Sequence, residues 1–196
     1  EKINKFTDIE IDNLTNILKE QYQPNHAYKT SFSKEGQNSL SSFKNNIYKK
    51  AAVLCILLPC DKRYSVETIL TVRSKKLKNH SGQISFPGGK LDMSDKNLID
   101  CSIRETYEEI GIEKSKIQTI GMMNKYITGT GFLVTPVLAT LKEAVKFNIN
   151  MNEVDKVIYF PLKHISDKKN VKKSSFCNDK KDFFYYDFEW RNHRIW

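Results

Sequence analysis

No apolar run in this chain of 196 residues approaches the roughly 20 that a helix needs to cross a bilayer, and the first residues are not signal-like. Cysteine is scarce. The four present, Cys55, Cys60, Cys101 and Cys177, make neither a Cys-x-x-Cys pair nor a disulfide framework, so they read as reduced thiols. Cys55 and Cys60, in or just after an apolar run, are expected to be buried. Acidic residues are in deficit: 23 Asp and Glu stand against 32 Lys and Arg, a formal charge of +9. That balance favours acidic ligands such as nucleotides, coenzyme phosphates, RNA or anionic surfaces, and does not choose among them. These absences lead us to expect a cytoplasmic protein. The chain begins at Glu1 without methionine and stops at Trp196, from which we expect one or both ends to be trimmed.

The length suits a single domain over 1–196, with 1–46 as N-terminal helix and connector and 47–196 as core. Thr7 or Asp8 can cap a first helix carrying Ile11, Leu14, Ile17 and Leu18 at helical spacing. Residues 22–46, rich in Asn, Ser, Lys and Gln, read as a long connector. Ala51 to Pro59 is a continuous apolar run, consistent with a strand covered on both faces. Asp61 to Ser65 form a turn, and Glu67 to Arg73 alternates as a second strand. Further on, Ile117 to Tyr126 and Phe132 to Leu141 read as strands separated by a turn at Thr128 to Gly131. Asn152 to Val154 open a strand or short helix that Pro161 ends. The lysines from Lys168 to Lys173 suit a solvated flexible loop. Phe183 to Trp190, with Ile195 and Trp196, suit a hairpin whose rings cover sheet surface. Mixed strands around a central helix indicate an α/β fold.

The stretch Phe86 to Ile112 joins a glycine turn to an acidic helix. At about 100° per residue, Ile99, Ile103, Thr106 and Ile110 share one stripe, with Glu105, Glu108 and Glu109 on roughly the opposite side. Cys101 projects near the acidic face, either packed or beside an ion. Carboxylates at this spacing repel by a few tenths of a kcal/mol per pair, which a cation would relieve. Hard oxygens gathered at one point suit Mg²⁺ or Mn²⁺, although a solvated acidic face fits the same residues. Pro87 fixes a dihedral and removes a donor. Gly88 and Gly89 allow positive φ and close backbone approach, so the Gly89 carbonyl can reach the same ion. Cations at Arg73 and Lys78 stand just ahead of this loop, where phosphates would meet them. His80 is either a turn residue or a catalytic one.

Arg104, Glu105, Glu108, Glu109, Gly111 and Ile112 resemble the end of the Nudix box, G-x5-E-x7-R-E-u-x-E-E-x-G-u with u aliphatic. Lys96 stands where that pattern has its first Glu, with Asp95 and Asp92 the nearest acids. Thr106 takes an aliphatic place, and the loop is one residue longer than standard. Residues 69–89 are similar to L-L-T-x-R-S-x3-R-x3-G-x3-F-P-G-G, which marks the coenzyme A pyrophosphatase branch. Leu70, Thr71, Arg73, Ser74, Gly82 and Phe86 to Gly89 fit, whereas Lys78 replaces an arginine and Ile69 a leucine. A weaker likeness continues over residues 152–162. In that branch the segment after an Ile-Trp pair continues as a helix, so its absence here is a further sign of a shortened C-terminus.

The resemblance implies a Nudix-type α/β/α sandwich with a mixed sheet and a loop-helix-loop catalytic motif. It implies Glu105 and Glu109 as leading ligands to Mg²⁺ or Mn²⁺, with Glu108 and the Gly89 carbonyl as further ones. Catalysis would fall to Glu105, also a candidate base, to Glu108, and to Arg104 as an orienter of carboxylates. Substrate contacts would come from Arg73, Ser74, Lys78, Gly82, Phe86, Pro87 and Gly88. Glu153 and Asp155 are further acids that a late base could come from. The implied substrate is coenzyme A or a derivative, cleaved to 4′-phosphopantetheine and adenosine 3′,5′-bisphosphate. Alternatives are another nucleoside diphosphate derivative (ADP-ribose, NADH, a nucleoside triphosphate) or an RNA-binding module without hydrolysis. Expected partners are therefore a small nucleotide-containing substrate and no membrane, with nucleic acid disfavoured and a homodimer left open.

Overall fold

The apolar run from Ala51 lies within strand β1 (Lys49–Cys60), covered on both faces as its lack of alternation led us to expect. Leu54, Ile56 and Leu58 belong to one core cluster with Ile103, Ile110, Val137 and Leu141, whereas Cys55 belongs to another with Ile11, Ile120 and Leu138. Helix α1 (Asp8–Gln21) supplies Ile11 to the second cluster, and helix α2 (Leu98–Ile110) supplies Ile103 and Ile110 to the first. A helix therefore lies on each side of the sheet, the α/β/α arrangement. This computed structural model describes residues 6–21, 48–60, 65–78, 80–128, 130–178 and 181–196. The connector expected over 22–46 and most of the turn from Asp61 lie outside the described residues. Among the described residues no helix is long and apolar enough to cross a membrane.

Thr7 caps α1 in a reciprocal box: its hydroxyl accepts from the Glu10 N–H at 3.3 Å, and the Glu10 carboxylate accepts from the Thr7 N–H at 2.8 Å. The main sheet adds β2 (Ser65–Arg73), β3 (Ile84–Ser85), β4 (Gly88–Lys90), β5 (Ile117–Met122), β6 (Tyr126–Ile127), β7 (Phe132–Leu141) and β8 (Val154–Pro161). The central order is β3-β2-β1-β7-β5, with β8 along β2, β4 along β1 and β6 along β7. β1 and β7 run parallel from Lys49↔Phe132 to Leu57↔Thr140, and the other pairs are antiparallel, so the sheet is mixed.

What positions the site is the way β1 and β2 part. They pair only from Leu57↔Thr68 to Cys60↔Ser65. Into the opening beyond comes the segment 84–90: Ile84 and Ser85 pair with β2, and Gly88 to Lys90 pair with β1. The Leu54 N–H donates to the Pro87 carbonyl at 2.8 Å between them. The glycine loop is thus a wedge in the sheet.

Three expectations need correction here. The stretch Ile117 to Tyr126 is not one strand but β5 and β6, since pairing with β7 is interrupted after Met122. The lysines from Lys168 are not a free loop: Lys168–Asn170 is a 3₁₀ turn, and Lys172 opens β9 (Lys172–Asn178) opposite Asp187. The aromatic tail is a three-stranded meander of β9, β10 (Lys181–Trp190) and β11 (His193–Ile195) rather than a hairpin. Its rings do cover the main sheet. Phe188 and Trp190 lie 5.2 and 5.8 Å, centroid to centroid, from the ring of Phe160 on β8, over Leu70, Val72 and Ile84.

Phe160 is 2% exposed and joins the two sheets. Phe160→Ala should therefore cost about 3–5 kcal/mol, read as a lower urea midpoint in equilibrium unfolding.

Candidate active site

Helix α2 has a sharp beginning and end. Asn97 Oδ1 accepts from the N–H groups of Ile99 and Asp100, both at 2.9 Å. Gly111 closes the helix at φ 75°, with its N–H on the Tyr107 carbonyl at 2.8 Å. Thr106, in the family's aliphatic place, is fully buried because its hydroxyl donates to the Ser102 carbonyl at 2.7 Å. The helix lies over the wedge so closely that side chains are excluded below it. A Cβ on Gly88 would run into the Ala52 carbonyl and the Val53 backbone, and one on Gly89 into the Glu105 carboxylate. Gly88 alone has positive φ, at 150°. Gly89 is required for its missing side chain, the close approach expected of it, and not for a positive φ.

The three glutamates do not share one environment. Glu108 is exposed, and its side chain accepts from Arg104 Nη1 at 2.9 Å. The Glu105 side chain is 18% exposed, with Oε1 3.0 Å from Arg104 Nη2. Glu109 is 4% exposed, which corrects its placement on the face away from the core. At about 100° per residue it falls on the flank of the apolar stripe, and the wedge covers that flank. Its Oε2 is buried without a hydrogen-bond partner. Burial, then the like charges of Glu105 and Glu153, push its carboxyl up to about 8 against the pull of Arg73 and the Gly88 N–H. Burial also raises Glu105, which Arg104 partly offsets.

Arg104 is the hub of the exposed side. It donates from Nε to Asp95 Oδ1 at 2.8 Å and from Nη2 to Asp95 Oδ2 at 3.0 Å, while Nη2 also reaches the Lys90 carbonyl at 3.2 Å. Lys96, at the family's glutamate position, is exposed. Asp95 therefore supplies the carboxylate that sequence reasoning left without a role. Counting six residues on from Gly89, rather than back from Arg104, would have found it. The same aspartate accepts from the Asp92 N–H at 2.8 Å, and Asp92 accepts from the Ser94 N–H at 2.9 Å, so the longer loop is knotted on itself. Hydrogen bonds from Arg104 hold the Asp95 carboxyl down to about 2.

The remaining residues divide in two. Arg73 stands half-buried beside Glu109, with its Nε buried and unpartnered. Lys78 and Gly82 are exposed, Gly82 at φ 70°. Ser74 is fully buried and donates to the Met151 carbonyl at 3.3 Å; Phe86 packs in the core and Pro87 is buried. Those three are scaffold in this structure. His80, at φ 58°, has Nδ1 2.8 Å from Gln83 Oε1, a bond within its own turn. Asp155 accepts from the Lys75 N–H at 3.2 Å. Cys101 is fully buried with Sγ 3.7 Å from the Gly89 carbonyl, and burial pushes its thiol up to about 11. A surface groove of about 460 Å³ runs past Tyr107, Lys116 and Lys146, and of the expected site residues it touches Glu108 alone.

Among the described residues no three His, Cys, Asp or Glu side chains close on one point, because Arg104 draws Glu105 and Glu108 to itself. The donor set still fits a hard divalent cation: Glu109 offers a buried, unpartnered carboxylate oxygen, and the Glu105 carboxylate stands against Gly89.

The NUDIX domain profile matches residues 48–178 of this chain. Over 107 residues the chain is 36% identical to an uncharacterized Nudix hydrolase NudL of Citrobacter koseri, covering 55% of this chain and 56% of that protein. Over 121 residues it is 35% identical to its namesake in Yersinia enterocolitica, covering 62% and 60%. The chain thus spans little more than half the length of the curated relatives it matches. Among solved structures, a Nudix hydrolase from M. smegmatis, RenU, superposes with a TM-score of 0.51 at 17% identity, over 61% of this chain and 74% of that one. That likeness concerns the fold.

Two outcomes follow from the charges. In EDTA, Glu109 carries a carboxyl raised from 4.5 to about 8, so the folded state binds the extra proton and stability falls as pH rises across that window. Glu109→Gln should remove this loss and be the more stable protein at pH 8, by about 1–3 kcal/mol in urea titrations. Asp95 is displaced the other way, from 3.8 to about 2, so its contribution is present above pH 3.8 and lost as pH falls toward 2. Asp95→Asn should cost about 1–3 kcal/mol at pH 7, with the difference shrinking at acid pH.

Proposed function

Because the chain belongs to the Nudix family, we propose that it hydrolyses the diphosphate linkage of coenzyme A or its derivatives to 4′-phosphopantetheine and adenosine 3′,5′-bisphosphate. The observation that carries the hydrolase reading is the buried, unpartnered carboxylate oxygen of Glu109 beside Glu105 and the glycine wedge. Charge buried in this way is expensive unless a cation shares it. Glu105, Glu109, Glu108 and the Gly89 carbonyl would hold Mg²⁺ or Mn²⁺. Such an ion, when bound, offsets charge on phosphoryl oxygens and acidifies water.

The other residues act through position. Arg104, locked by Asp95, orients the carboxylates of Glu105 and Glu108, which lean on its guanidinium. Its hydrogen bond to Glu105 Oε1 orients that side chain and only partly offsets the burial that raises its carboxyl. The unpartnered Nε of Arg73 and the exposed Lys78 suit a polyphosphate arriving over the wedge. The choice of coenzyme A rests on the likeness of residues 69–89 to the coenzyme A pyrophosphatase motif.

Incubation with coenzyme A and Mg²⁺ or Mn²⁺, followed by mass analysis, should give the two half-products, with no turnover in EDTA. Cleavage of ADP-ribose or NADH with coenzyme A untouched would move the substrate within the family, and no cleavage of any diphosphate would end the hydrolase reading. Glu105→Gln should lower Mn²⁺ affinity and kcat by at least the roughly 10–100-fold that lesser changes around a metal cost.

A further inference from the structure

The groove beside the C-terminal half of α2 exists because a loop closes directly on the end of the helix. A Cβ on Gly111 would stand 2.7 Å from that of Asn148, so only glycine lets the loop between β7 and β8 come so near. There the Asn148 N–H donates to the Ile110 carbonyl and the Asn150 N–H to the Glu109 carbonyl, each at 3.0 Å. The space left between helix and loop is about 460 Å³. Its apolar lining, Ile112, Val145 and Ile149, belongs to the main core cluster or packs against it. Tyr107 and Asn148 line it as exposed side chains, and neither the hydroxyl nor the amide has a hydrogen-bond partner among the described residues. Its charges cancel. Glu108 and Glu113 stand against Lys116 and Lys146, with Glu108 held by Arg104 Nη1 at 2.9 Å and Lys116 Nζ 3.5 Å from Glu143.

We propose that this groove receives the uncharged, amide-bearing arm of the substrate, which in coenzyme A is pantetheine; the inference rests on the diphosphatase reading above. Glu108 is common to the groove and to the residues that would hold the ion, so a diphosphate resting there leaves one of its two ester chains beside the groove. The two chains differ in charge. The nucleoside half of coenzyme A carries a third phosphate, and a groove whose charges cancel gives a phosphate no net attraction to offset the loss of its water. Arg73 and Lys78 lie outside the groove and suit that half better, Arg73 with an unpartnered Nε. Pantetheine has no charge to satisfy. Its dimethyl carbon matches the lining of Val145, Ile149 and Ile112, and its two amides need groups that both donate and accept, which the Asn148 amide and the Tyr107 hydroxyl are. The volume also lies within the range of about 300–1,000 Å³ that small-molecule sites occupy.

The test uses the full chain, coenzyme A as substrate, and each product in turn as an inhibitor, so that the two halves are read separately. Tyr107→Ala changes an exposed helix position to the residue that helices favour, and Asn148→Ala keeps the Cβ that packs against Gly111. The double variant should raise the KM for coenzyme A and the inhibition constant of 4′-phosphopantetheine roughly 10-fold, with kcat within about twofold of wild type. Its inhibition by adenosine 3′,5′-bisphosphate should stay within about twofold, and Lys146→Ala should leave both inhibitions within the same range. The single variants, each with part of the loss, replace the double one if it melts early. Unchanged inhibition by 4′-phosphopantetheine in the double variant would overturn the inference. So would weakened inhibition by adenosine 3′,5′-bisphosphate in the double variant or in Lys146→Ala, which would give the groove to the nucleoside half. Both results leave the cleavage of coenzyme A by the wild type, and with it the diphosphatase reading, intact. A wild type that cleaves ADP-ribose or NADH and leaves coenzyme A whole would overturn both.

Discussion

Everything at the candidate site depends on a backbone being admitted where two strands separate. β1 and β2 share only four residue pairs, and the segment 84–90 fills the space beyond them by pairing with each in turn. Helix α2 can then approach until the Glu105 carboxylate stands where a Gly89 side chain would be. The acidic flank of the helix is buried by this contact. Without the wedge the three glutamates would be a solvated charge run of little consequence; with it, Glu109 lies in a low-dielectric place that disfavours its charged form.

The electrostatic arrangement has two sides with opposite tendencies. On the exposed side Arg104 and Asp95 form a bidentate pair that holds the loop, and Glu105 and Glu108 lean on the same guanidinium. On the buried side Glu109, Glu105 and Glu153 face Arg73 with less positive charge than they need. The first side is balanced within the protein, and the second is not. This division explains why a helix bearing several carboxylates can be both well anchored and chemically unsatisfied.

Much of this was legible from the residues. The unbroken apolar run gave β1 with both faces covered, a cap at Thr7 or Asp8 gave the start of α1, and the apolar stripe with its opposed glutamates gave α2. What was hidden depended on neighbours distant in sequence. A helical projection places Glu109 on a flank, and only the glycine wedge decides that this flank is interior. The lysines near Lys172 looked like a flexible loop because the strand they pair with, β10, comes later in the chain. Asp95 was named without a role because the loop carries its extra residue between Asp95 and Arg104.

The parallel pairing of β1 with β7 carries a consequence for how the molecule comes together. Lys49 meets Phe132 across more than eighty intervening positions, and the wedge and α2 lie inside the loop which that pairing closes. Local turns can form early, but the closure must wait for two distant stretches to meet, at an entropic cost set by the chain between them. The acidic site is accordingly complete only when those distant stretches are paired. A fragment that carries the helix and its glycine bend alone would have the right residues and no place to bury them.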